Sequence, residues 1–144
     1  MLRLRGGSPV LAGPCGPDPW YIEVGEDEDP VGVVGRLSAN LLGPPLLVHS
    51  TSWRRARGSV ILSFIVVIRD DQAPQLEGVP IGRAELARAG AVAAPTKIAT
   101  SQVIEHGLRH LSWLAKDDPV VSSVLSDEWK QVLAGYVPEP FQHL

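Results

Sequence analysis

Two histidines four residues apart, His106 and His110 in EHGLRH (105–110), have the spacing at which a helix turns both imidazoles to one side. Zinc hydrolases use that spacing, and His49 in LLVHSTSW could supply the third protein ligand such a site needs. The rest of the pattern is incomplete. The catalytic glutamate of those enzymes lies between the histidines, whereas Gly107, Leu108 and Arg109 stand there in this chain. Arg109 would also repel a cation, and Glu105 projects about 100° away from His106 on a helix. At that angular step Ile104, Gly107, Leu108, Leu111, Leu114 and Ala115 gather on one arc. His106, Arg109, His110 and Trp113 gather across from it, as a polar and aromatic face outside the core. Solvent or a partner protein is the expected cover for that face, and no metal is expected.

A second cluster lies in WRRARG (53–58). Trp53, Arg54, Arg55 and Arg57 combine a stacking surface with forked cations that suit carboxylate or phosphate groups. The plain alternative is a charged turn that keeps a strand end soluble. In the strand before it, strict alternation places Leu47, His49, Thr51 and Trp53 on one face. Ser50 then falls on the other face from His49, so the two cannot form a nucleophile–base pair. No G-x-S-x-G is present to suggest a serine hydrolase by another route. Phosphate-binding glycine signatures, G-x-x-x-x-G-K-[ST] and G-x-G-x-x-G after a strand, are also missing.

These residues need elements to hold them, and the chain is well punctuated. GEDEDPVGVVGRLSANLLGPP predicts a helix over about 30–42. Asp29 caps it, Pro30 opens it, Val33, Val34, Leu37 and Leu41 form its stripe, and Gly43 ends it. LLVHSTSWRRARGSVILSFIVVIR predicts a hairpin over about 46–68 with RRARG as the turn. Its second arm, Val60 to Ile68, reads as a strand buried on both faces. WYIEV (20–24) predicts a further strand. The helical period returns over about 97–116 and again over about 119–135, with Asp118 before Pro119 and Ser126 as caps. RAELARAG permits a short helical turn, and AVAAP a short edge strand. Residues 1–19 hold four glycines and four prolines, and they read as a flexible lead-in. Within them LRLRGG (2–7) matches the end of ubiquitin, but it runs on into Ser8 and shares nothing else, so it implies no relation.

Composition sets the outer limits. A net charge of −3 disfavours a general nucleic-acid binder. The longest apolar run, VILSFIVVI, is too short to cross a membrane as a helix. Cys15 is the lone cysteine, and MLRLRGGSPVLAGPCG has no continuous apolar stretch of the kind an export signal needs. A cytoplasmic protein is expected, and the abundant Ala, Gly, Pro, Arg and Val read as GC-rich, bacterial coding. The expected fold class is α+β: a single domain over 20–144 with a small antiparallel sheet packed against the helices. The leading functional expectation is a binding or regulatory module without a cofactor. It would meet a protein partner or a second copy through His106, Arg109, His110 and Trp113 together with the arginine tip. A small metal-dependent or histidine-based hydrolase using His49, His106 and His110 is one alternative. A binder of an anionic small molecule through Trp53, Arg54, Arg55 and Arg57 is another.

Overall fold

Order begins at the second residue. The computed structural model describes residues 1–16, 18–72, 76–84 and 99–139, and Leu2–Arg5 (β1) and Ser8–Leu11 (β2) already form an antiparallel hairpin. The flexible lead-in expected over 1–19 is therefore corrected. A two-residue hairpin turn of type I′ needs positive φ at both central positions, and Gly6 and Gly7 supply it at φ +57° and +77°. Leu2, Leu4 and Val10 are buried, so this hairpin contributes to the core.

The remaining elements are Pro30–Leu42 (α1), Leu47–Ala56 (β3), Ser59–Val67 (β4), Val79–Pro80 (β5), Thr100–Asp117 (α2), Pro119–Val124 (α3) and Asp127–Leu133 (α4). The fold class is α+β, as expected. Among the described residues five strands make one mixed sheet in the order β3-β4-β1-β2-β5, antiparallel except where β1 runs parallel to β4. The chain divides into two compact units, residues 1–80 and 81–144.

In the first unit α1 has the bounds the punctuation implies. Asp29 accepts from the Val31 and Gly32 N–H groups, and the Gly43 N–H closes the last turn on the Ala39 carbonyl at 2.8 Å. Val34 packs with Val66 and Ile68, and Ile22, Val48 and Phe64 lie against them. Leu41, expected on the buried stripe, is exposed, and Ser38 is buried in its place. Residues 20–24, expected as a strand, do not join the sheet, and Ile22 alone of them lies against the Val34, Val66 and Ile68 cluster. The place beside β4 that a third strand would take is filled by β1. A buried polar knot ties the ends of this unit together. Arg3 donates to the carbonyls of Gln72 and Leu76, while Gln72 Nε2 donates to those of Leu42 and Pro44.

Gly78 is held closely against β2. A Cβ at that position would come within 2.8 Å of Val10 Cβ and nearer still to its Cγ2. Valine has one stiff torsion and is buried here, so it cannot swing away cheaply. Gly78→Ala is expected to cost about 2 kcal/mol in urea unfolding through overpacking. In the Val10→Ala background the same substitution should cost clearly less. Equal costs in the two backgrounds would mean that the close approach is not the cause.

The second unit is helical. Asp118 caps α3 through the Val120 and Val121 N–H groups, and Ser126 Oγ accepts from the Trp129 N–H to cap α4. The helical stretch expected over 119–135 is two helices, with Asp118 and Ser126 capping them as the sequence implies. Leu125 takes an extended conformation between them, and Ser126 starts a new first turn. Among the described residues, the buried apolar side chains of this unit are Leu108, Leu111, Leu114, Val121, Leu125, Trp129, Leu133 and Tyr136. The expectations for AVAAP and for RAELARAG beyond Ala84 lie outside the described residues.

Candidate functional site

The face of α2 opposite the apolar arc is covered by the chain itself. On its flank, Glu105 has a side chain only 1% exposed. Arg83 grips it with two parallel bonds, Nε to Oε2 at 3.2 Å and Nη2 to Oε1 at 3.1 Å. One turn along the helix, Arg109 Nε donates to Oε1 at 3.0 Å, and the Ala84 N–H adds a longer bond at 3.4 Å. Burial alone would push this carboxyl up. The bonds from Arg109, Arg83 and Ala84 outweigh it and hold the group below the usual glutamate value. The Arg83 guanidinium also lies 4.1 Å over the Tyr136 ring and donates to the Gly135 carbonyl. Burial of Tyr136 raises its phenol, against the opposing pull of Arg83.

Residues 133–139 extend this cover. Ser112 Oγ lies 2.9 Å from the Leu133 carbonyl and 3.3 Å from that of Tyr136. The Glu139 N–H donates to the Arg109 carbonyl, and the Glu139 carbonyl lies 3.2 Å from His110 Nδ1. The Glu139 carboxylate lies 3.6 Å from Arg109 and 3.9 Å from His106. His110 stacks on Trp113 at 5.8 Å between centroids and is 2% exposed. The expectation that His110 stands outside the core is corrected. Helical arithmetic finds the apolar arc, but a helix covered on two sides also buries polar groups that have partners.

This geometry makes a stability prediction. Because it fills a covered position, His110→Ala is expected to cost about 2 kcal/mol. His106→Ala should cost less, since its side chain is 18% exposed where His110 is 2% exposed. Thermal unfolding of the two single variants separates them. A neutral His110→Ala would show that residues 133–139 do not hold the ring.

Among the described residues no three His, Cys, Asp or Glu side chains come together as metal ligands would. No family model, no curated protein and no solved structure matches this chain. Among the described residues, no helix is long and apolar enough to cross a membrane.

The hairpin tip presents the opposite situation. Arg57 and Gly58 form its turn at φ +49° and +83°, so the turn falls where RRARG predicts it. The strand pairing slips at Thr51, between Ser50 and Ser52. Such a bulge reverses the alternation beyond it. His49 pairs with Ile65 while Trp53 pairs with Leu62, and residues 62 and 65 face opposite ways. His49 and Trp53 are therefore on different faces, which corrects the single face expected for them. Trp53 falls beside Leu62, and Arg55 beside Val60, on the face that α1 covers nearer the base at Phe64 and Val66. Beyond α1 that face is open, with Trp53 41%, Leu62 41% and Val60 60% exposed. The outer half of β4 is thus not buried on both faces. Arg54 pairs with Ile61 and points to the other side.

Sequence reading missed Arg83, Glu105, Tyr136 and Glu139 as one connected group. The Glu105–Arg109 spacing of four residues was the available sign. Arg83 and residues 133–139 approach from distant sequence and left no local pattern.

Proposed function

We propose that this chain is a non-catalytic cytoplasmic binding module whose contact surface is the open end of the β3–β4 hairpin. Trp53, Val60 and Leu62 form its apolar centre, and Arg54, Arg55 and Arg57 form its charged rim. The observation that carries this reading is the exposed Trp53–Leu62 pair, an aromatic and an aliphatic side chain left open side by side. Tryptophan and arginine are the residues on which binding energy concentrates in protein interfaces. The polar face of α2 is set aside as the main contact, because Arg83 and residues 133–139 already occupy it. A one-sided anion pocket built from Trp53 and all three arginines is less well supported, since Arg54 and Arg55 point to opposite faces.

The test is site-specific photocrosslinking in cells from position 60, with position 120, also exposed, as the comparison. Discrete protein adducts are expected from position 60 alone. The Trp53→Ala, Leu62→Ser double variant should abolish them while shifting stability by only about 0.5 kcal/mol, as surface changes do. Adducts that survive the double variant would sink the proposal.

A further inference from the structure

The two adjacent arginines of β3 point to the shape of the partner. Five arginines elsewhere in the chain are engaged: Arg3, Arg36, Arg69, Arg83 and Arg109 each have a hydrogen-bonded or ionic partner. Arg54, Arg55 and Arg57 have none among the described residues. They form a local positive patch in a chain of net charge −3. Neighbouring strand residues project to opposite faces, so a ligand lying on one face of the hairpin reaches Arg54 or Arg55, not both. A strand added alongside reaches both, because it too carries successive side chains on alternate faces.

β3 is an outermost strand of the sheet. Beyond the bulge, the outer edge of Ser52–Ala56 has no ladder partner among the described residues. Edge charges of this kind discourage pairing with a like strand: a second copy of β3 centred here would set arginine against arginine. The same charges select for a strand of opposite sign.

We infer that the hairpin edge over Ser52–Ala56 takes up an extended acidic segment of a partner protein as an added β-strand, consecutive carboxylates meeting Arg54 and Arg55 on the two faces. This rests on the binding-module reading and deepens it. The partner's backbone supplies the ladder, and an apolar side chain on the Trp53 side packs against Trp53.

The experiment titrates the whole protein with a blocked seven-residue peptide of threonine and valine carrying two central glutamates. Amide exchange across β3 is followed by NMR. The expected result is saturable binding that slows exchange at alternate amides within Ser52–Ala56. Replacing the two glutamates by lysine should weaken binding by about tenfold or more, the worth of two cross-strand charge pairs. Arg54→Gln with Arg55→Gln should weaken it comparably, with unchanged thermal unfolding as the check on folding. A peptide N-methylated along one edge should also fail. The inference is overturned if the lysine peptide binds equally well, or if binding leaves β3 exchange unchanged. Tighter binding of oligothymidylate or of phosphatidylglycerol vesicles would overturn it too. If the acidic peptide fails while adducts from position 60 persist, the strand inference falls and the binding module stands.

Discussion

Replacing Glu105 by alanine is expected to cost about 3 kcal/mol of stability, at the lower end of what removing one partner of a buried ion pair does. The two cations it leaves behind do not fare alike. Arg83 is 54% exposed and regains water, which moderates the loss. Arg109 is 18% exposed and, among the described residues, keeps the Glu139 carboxylate at 3.6 Å as its one acidic partner. Arg83→Ala should accordingly cost less than Glu105→Ala, because it leaves the carboxylate bonded to Arg109 and Ala84. Urea unfolding at neutral pH gives both figures. The pH dependence carries a second signature. The folded Glu105 carboxyl is held below its ordinary value of 4.5, so the native state favours its ionised form. That contribution is fully present above the ordinary value and is lost as pH falls through the lower, folded one. Wild type should therefore lose stability below about pH 4.5 more steeply than Glu105→Gln, which has no proton to take up there. Parallel acid profiles for the two proteins would show that the carboxylate is not ionised and paired in the folded state.

Where residues act on their immediate neighbours, this fold could be read directly. Asp29, Pro30 and Gly43 bound α1 because caps and chain breakers act within one turn. The β3–β4 hairpin was equally legible from its apolar arms and the Arg57–Gly58 turn. Gly6 and Gly7 are as strong a hairpin signal, between Leu2, Leu4 and Val10. The surrounding glycines and prolines masked it, because composition weighs every residue alike while a turn depends on two. The bulge at Thr51 has no local sign, yet one inserted residue moves Trp53 to the face opposite His49 and turns a mixed cluster into an open apolar one. The cover on α2 was illegible for a different reason. A helix's period shows where its own apolar side lies, but whether Arg83 and Glu139 arrive to pair with its polar side depends on segments about 22 and 30 residues away from Glu105 and Arg109.

Trp129→Ala is expected to cost about 4 kcal/mol, a loss that would consume much of the stability of a domain this size. Trp129 is the largest fully buried side chain described, and it sits in the first turn of α4, where Ser126 fixes its backbone. Alanine keeps the helix but leaves a void where the indole was, in an interior that is otherwise closely packed. Phenylalanine at the same position makes a sharper test. The indole Nε1 is buried without a hydrogen-bond partner among the described residues, so native Trp129 already carries the cost of a donor taken from water. Phenylalanine gives up part of the ring area but removes that donor. The two effects nearly cancel, and Trp129→Phe is expected to lie within about 1 kcal/mol of wild type. Chemical unfolding of both variants measures the difference. A Trp129→Phe protein destabilised nearly as much as Trp129→Ala would mean that the indole N–H is bonded after all.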